Sequence, residues 1–297
     1  MKKKLLFCAA TLLTAQGIIS NECLKTTFVE FAHPNIPASF NGFKILQLSD
    51  LHSKTFGAGN YRLVKKIRRE HPDILVLTGD MINSRGKNNG VFYSLVTALK
   101  NIAPVYYVMG NHELQLTQKE YHQLMHFLNK QGVIILDNEA AELKQEDDSI
   151  LLYGLWFNLR YYSPFISGKK PYDFSAEIMD TLLGVSDSSR FNLLLTHDPS
   201  YFDTYAKWGA HLTLSGHIHG GMIRLPFKGG VFSPHREFFP AYCSGLYRYG
   251  ESRAMFVHSG LGRGRFGLRC FNRPEIAVIT LKHLPSSPKR GENVCLS

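Results

Sequence analysis

Three times in the first half of the chain a short apolar run ends in a polar tip and is followed by a segment of helical character. Phe43 to Ser49 ends at Asp50, Ile74 to Thr78 ends at Gly79-Asp80, and Val105 to Met109 ends at Gly110-Asn111-His112-Glu113. The segments that follow are Tyr61 to Glu70, Phe92 to Lys100 and Gln118 to Lys130. Short apolar runs separated by helices of this length read as β-α-β units around a parallel core, an α/β fold. Ligands of such sheets gather beyond the carboxyl ends of the strands, where all three tips fall.

The second half is patterned differently. Ile150 to Leu155, Phe191 to Thr196, His211 to Leu214, Ala254 to His258 and Ile276 to Leu281 are strand candidates with fewer helices between them, so a second, mixed sheet is expected. Hydrophobic residues make up 44% of the chain, ample for a core. Pro34 and Pro37 mark an irregular connector, and two long stretches fit no regular element. Trp156 to Phe174 is aromatic and basic; Arg224 to Tyr249 is rich in Gly, Pro and aromatics. Long loops of this kind are usually functional, and their aromatic content argues against disorder.

The polar tips carry the chemistry. Asp50-Leu51-His52 and His217-Ile218-His219 each place two ligand side chains at positions i and i+2, which in extended chain face one side. Asp80 can bridge two ions with its two oxygens, Asn111 offers a neutral carbonyl oxygen, and His197 follows Thr196 at a strand end. The set is nitrogen and oxygen without thiolate, which suits manganese, iron, zinc or magnesium. The five cysteines form no Cys-x-x-Cys pair, so neither a disulfide framework nor a cysteine zinc site is indicated. Each fragment alone is weak: an Asp-x-His is often a surface turn, and a Gly-Asp tip is often only a turn. The ordered series Asp-x-His, Gly-Asp, Gly-Asn-His-Glu, Thr-His, Gly-His-x-His, each after a strand, is specific.

That series resembles the calcineurin-like metallophosphoesterase superfamily over nearly the whole chain after the leader. The resemblance implies a four-layer α/β/β/α sandwich of two mixed β-sheets and a centre of two divalent ions, manganese expected and iron, zinc or magnesium as alternatives. By motif, Asp50, His52, Asp80 and His219 would hold one ion, and Asp80, Asn111, His197 and His217 the other. His112 would be the catalytic histidine beside the transferred phosphoryl group, and water activated by the ions would attack phosphorus. The stretch from Gly216 to Pro226, with Ser259-Gly260-Leu261-Gly262 and Arg273-Pro274-Glu275-Ile276, is similar to the membrane-associated YaeI/YkuE-like branch. Within that branch, the chlamydial-type UDP-2,3-diacylglucosamine hydrolases of lipid A biosynthesis suggest the reaction: release of UMP and 2,3-diacylglucosamine 1-phosphate (lipid X). The alternatives are a membrane-associated phosphodiesterase or phosphatase of broader specificity, and a non-catalytic metal-binding scaffold, against which the intact His112 and ligand set argue. Substrate contacts are expected from Arg160, Arg224, Arg263 and Arg265, because a guanidinium can grip phosphate with two donors.

The ends and the charge complete the reading. Lys2 to Lys4 precede an apolar run from Leu5 to Ile19, short for a span that needs about 20 apolar residues. Residues 1–24 are expected to be a leader that anchors the chain, 40–284 the metallophosphoesterase domain and 285–297 a loose tail. A net charge of +10 favours anionic partners. The expected partners are a phosphorylated lipid-nucleotide and an anionic membrane surface, not nucleic acid. A monomer is expected, peripheral or N-terminally anchored on the cytoplasmic face of a bacterial inner membrane.

Overall fold

The computed structural model describes residues 16–84, 89–163, 172–221, 224–225, 229–231, 237–262 and 269–285. Most of the leader, Arg263, Arg265 and nearly all of the tail lie outside the described residues.

The strands follow one another through two sheets. β1 (Lys25–His33), β2 (Lys44–Leu48), β3 (Ile74–Thr78), β4 (Val105–Val108) and β5 (Ile134–Ile135) belong to the first. β6 (Ala140–Gln145), β7 (Asp148–Leu155), β8 (Asn192–Thr196) and β9 (Leu212–Ser215) open the second. A small hairpin, β10 (Arg224–Leu225) with β11 (Gly229–Gly230), precedes β12 (Gly245–Tyr249) and β13 (Arg253–Val257), which complete the second sheet. β14 (Glu275–His283) returns to the first, giving the orders β1-β14-β2-β3-β4-β5 and β12-β13-β9-β8-β7-β6. Both sheets are mixed. β2 to β5 run parallel and β14 antiparallel to β2, while β7, β8, β9 and β13 run parallel between antiparallel edges β6 and β12.

Side-chain alternation makes this a four-layer fold. Successive strand residues point to opposite faces. Leu46, Leu48, Leu75 and Leu77 therefore meet the helices Tyr61–Arg69, Gly90–Leu99 and Gln118–Lys130 on the outside of the first sheet. Ile45, Val76, Val108 and Ile279 turn inward and interlock with Leu152, Leu193, Leu195, Leu214 and Phe256 of the second sheet. Leu155 and Leu194 face the outside of the second sheet, under Met179, Tyr205 and Trp208 from helices Ala176–Leu183 and Phe202–Trp208. The order of layers is helix, sheet, sheet, helix, as the family resemblance implies.

Three features depart from the expectations. The first sheet starts ahead of residue 40: β1 pairs in parallel with β14 from Lys25↔Glu275 to His33↔His283. It is an edge strand with Phe28 outward and Phe31 inward, so only one face is apolar and the run is easily overlooked. The stretch from Trp156 to Phe174 is not an open aromatic loop where it is described. Asn158 caps a short 3₁₀ turn at Leu159–Tyr162, and Phe157, Tyr161, Tyr162 and Phe174 are buried with Tyr201 and Tyr205. Finally, helices Ala176–Leu183 and Phe202–Trp208 supply the outer layer that the resemblance implies over the second sheet, though no segment of the sequence was singled out for them. No helix among the described residues is long and apolar enough to cross a membrane.

Candidate metal centre

The strand-end tips converge above the parallel strands. Asp50 follows β2, Asp80 follows β3, Asn111 and His112 follow β4, His197 follows β8, and His217 and His219 follow β9. Five of these residues have left-handed backbones: Asp50 (φ 54°), His52 (φ 44°), Asp80 (φ 51°), His217 (φ 67°) and His219 (φ 53°). Non-glycine residues adopt this region rarely, and such positions gather at functional sites. The i and i+2 pairs thus reach one side by sharp turns, not by the extended chain assumed from sequence. Gly110 permits the close approach, since a Cβ there would stand 2.3 Å from Asp80 Oδ1.

The ligand atoms fall into overlapping groups. Asp50, His52 and His219 offer atoms within 4.8 Å of one another, as do Asp80, His197 and His217. His52, Asp80 and His112 form a third such group. His52 Nε2 faces His219 Nε2 at 3.1 Å, and His197 Nε2 lies 3.2 Å from Asp80 Oδ2 and 3.8 Å from Asp50 Oδ1. Asn111 Oδ1 is buried without a hydrogen-bond partner, which suits an oxygen that would ligate a cation. His197 Nδ1 donates to the Thr78 carbonyl at 2.6 Å, which leaves Nε2 for the cleft. The described cysteines are free and take no part.

Electrostatics point the same way. Burial pushes the Asp50 carboxyl up to about 7, aided by Asp80 and opposed by His197. Burial also holds His52 down to about 4 and His219 well below the ordinary imidazole value, so both present neutral lone pairs. For His197 burial opposes protonation, but the Asp80 and Asp50 carboxylates win and raise it to about 10. A proton there does what a divalent ion does better, and metal binding would displace it. The donor set and geometry fit two divalent cations.

Glu113 is the residue whose role sequence reading missed. Its buried carboxylate accepts the N–H groups of Asp80, Met81, Ile82 and Gly110, at 2.9, 2.9, 3.3 and 2.9 Å. The Gly110 bond reaches back three residues, the spacing of a capping box, and that spacing was the available signal. A second support is Arg269, buried at 3% exposure. It donates to the carbonyls of Gly262, Ser259 and Asn272, and Asn272 in turn donates to the His219 carbonyl. His112 stands at the rim, its Nδ1 accepting the Ser84 N–H at 3.2 Å and its Nε2 3.9 Å from Asp80 Oδ2. The Ser84 contact puts the imidazole proton on Nε2, toward the cleft.

Of the expected substrate arginines, Arg263 and Arg265 lie outside the described residues, while Arg160 and Arg224 are held by contacts of their own. Arg160 donates to the Tyr161 hydroxyl at 2.8 Å and packs over that ring. Arg224 donates to Ser244 Oγ at 2.6 Å. Neither is brought to the ligand groups by the contacts it makes.

With this geometry in hand, the chain belongs to the calcineurin-like phosphoesterase family, whose model matches residues 43–221. It is a metal-dependent phosphoesterase. Metallophosphoesterase YkuE of Bacillus subtilis (strain 168), itself uncharacterized, is 30% identical over 92% of this chain and 93% of its own. Phosphodiesterase YaeI of Escherichia coli (strain K12) is 27% identical over 80% of this chain and 82% of its own. Among solved structures, phosphopantetheinyl hydrolase (PptH) of Mycobacterium tuberculosis is similar at 15% identity and a TM-score of 0.49, over 78% of this chain and 96% of that one.

Proposed function

We propose that the chain hydrolyses a phosphate ester or anhydride carried on a lipid, with UDP-2,3-diacylglucosamine as substrate and UMP and 2,3-diacylglucosamine 1-phosphate as products. The observation that supports a lipid is the apolar exposure around the segment that supports His219. Phe271, beside Asn272, is 50% exposed, and Leu225, Phe238 and Phe239 are 42%, 70% and 57% exposed. Backbone hydrogen bonds tie these pieces together: the Arg224 N–H donates to the Cys270 carbonyl and the Phe239 N–H to that of Val231. Ile18 and Ile19, 59% and 43% exposed, sit on the helical stretch 16–22, whose Asn21 side chain donates to the Arg269 carbonyl. Single exposed apolar side chains are ordinary, but several on segments linked in this way suit a lipid or partner surface.

Cations border this set. Lys66 and Arg273 bond the carbonyl of Leu24, and Arg62 pairs with Glu22. Helix Tyr61–Arg69 carries Arg62, Lys65, Lys66, Arg68 and Arg69, which suits diphosphate and anionic headgroups. On this reading the protein is peripheral to a membrane.

Asp50, His52, Asp80 and His219 would hold one ion and Asp80, Asn111, His197 and His217 the other, manganese being the expected metal. When bound, such a pair would supply Lewis acidity toward phosphoryl oxygens and would lower the pKa of water toward neutral pH. His112, with Nε2–H toward the cleft, protonates the leaving oxygen or stabilises its charge. The test is purified protein with Mn²⁺ assayed on UDP-2,3-diacylglucosamine, bis-p-nitrophenyl phosphate and DNA. Turnover of the lipid-nucleotide supports the reading; activity on DNA alone, or on none, overturns it. The name of the relative YaeI favours a second reading, a phosphodiesterase of broader specificity. Preference for the bis-ester over the lipid-nucleotide would select it.

A further inference from the structure

We propose that the Tyr162 hydroxyl is a phosphoryl-binding group of this centre, donating its O–H to an anionic oxygen of the substrate. The inference rests on phosphoester chemistry at the site and not on the identity of the lipid.

Tyr162 closes the 3₁₀ turn Leu159–Tyr162, and its ring sits 5.0 Å from Phe157 in the buried aromatic cluster. That ring leaves the cluster on the cleft side. It meets His217 edge to face at 5.4 Å and lies 6.1 Å from His197, two residues of one ligand group. Tyr162 is only 9% exposed, and its hydroxyl finds no hydrogen-bond partner in the protein. Other phenols of the cluster are satisfied: Tyr201 donates to the Tyr161 carbonyl at 2.9 Å and Tyr205 to that of Asp198 at 2.7 Å.

A buried hydroxyl without a partner destabilises a fold, and in native proteins such a group calls for an explanation. Packing does not supply one. Phe157 and Phe174 show that the cluster accepts phenylalanine, and a Phe at 162 would fill the same space without the unsatisfied group. A ligand does supply one. A phenol donates a hydrogen bond without adding charge, which suits a cleft that already gathers cations around an anion. Its rigid two-torsion side chain, held by Phe157, presents the donor with little loss of freedom.

Tyr162→Phe in the full chain tests this. In the metal-free protein the melting temperature should stay the same or rise, because an unsatisfied hydroxyl has been removed. Manganese content should not change. Inorganic phosphate should bind the manganese-loaded variant ~10-fold more weakly by calorimetry. Its kcat/KM for bis-p-nitrophenyl phosphate should fall ~10–100-fold, the scale of one hydrogen bond to a charged group. Phosphate affinity and kcat/KM within about twofold of the parent would overturn the proposal. So would a fall in melting temperature or metal content, because the hydroxyl would then be serving the fold. Neither the phosphate titration nor the bis-ester assay depends on UDP-2,3-diacylglucosamine, so failure of that substrate leaves this test intact.

Discussion

Glu113 Oε2 accepts the main-chain N–H of Asp80 at 2.9 Å and that of Gly110 at the same distance, so one carboxylate joins the turns after β3 and β4. Those turns carry Asp80, Asn111 and His112, and Asp80 Oδ1 ties them a second time by accepting the His112 N–H at 2.8 Å. Glu113→Ala strands four buried N–H groups. Each unsatisfied group costs about 1–3 kcal/mol, so the variant should lose several kcal/mol of stability and most of its bound metal. Urea unfolding with metal analysis checks this; a stable variant with full metal content would assign the turns another support.

His112 should separate binding from chemistry. Its ring lies at the rim, 28% exposed, outside the two three-residue groups that Asp50 and His217 anchor. His112→Ala is expected to keep its metal while turnover drops ~10²–10⁴-fold, the usual range for a general acid or base. Metal content measured beside steady-state kinetics decides it, and near-normal turnover refutes the role.

Space, not charge, governs Gly110. A methyl group there would sit 2.3 Å from Asp80 Oδ1 and 2.5 Å from the Asp80 backbone nitrogen. Gly110→Ala should therefore displace the shared acid and abolish most activity even though no ligand atom is removed. Retention of more than half the parental kcat/KM would show that the turn can yield.

Acid should destabilise the protein through buried histidines that are not among the expected ligands. Burial holds His33 and His211 down to about 4, helped by Arg253 for the first and by His33 for the second, and their rings lie 4.3 Å apart. His258, also buried, is held to about 4. Above pH ~6.5 these groups are neutral in both folded and unfolded chains and contribute nothing to the pH dependence. As pH falls from ~6.5 toward 4 the unfolded chain takes up protons that the fold refuses, so stability declines, by up to ~3 kcal/mol for each group. Urea midpoints of the metal-loaded protein at pH 7.5 and 5 should show the loss, and His211→Gln should shrink it. An unchanged slope in the variant would remove His211 from the account.

Much of the candidate centre was legible because its expected ligands are strand-end tips with short, recognisable spacings. Asp50-x-His52, Gly79-Asp80 and Gly216-His217-x-His219 announce themselves, and the apolar runs before them are buried on both faces and so nearly continuous in sequence. β1 was missed because an edge strand buries one face only; its outward Phe28 is 68% exposed. The aromatic stretch after β7 fits no regular element in sequence because its order comes from tertiary packing, which buries Phe157, Tyr161 and Tyr162 against Tyr201 and Tyr205. No local pattern could show that Arg160 would turn to Tyr161, or that Glu113 would collect main-chain donors from a turn more than 25 residues earlier in sequence.

The position of β14 also sets an order of events during synthesis. It lies between β1 and β2, pairing Lys25 with Glu275 and Ile45 with Ile279, so the first sheet stays divided until residues 275–283 have left the ribosome. The loop ahead of it brings Gly260, whose Cβ would stand 3.0 Å from that of Asp50, against the cleft in the same stretch of chain. Pairings between such distant segments close slowly. The nascent chain therefore carries a β1 without its partner for most of translation, with Phe28 and Phe31 available to other contacts. Whatever engages that strand early, a chaperone or a membrane, must let go before the last strand can seat.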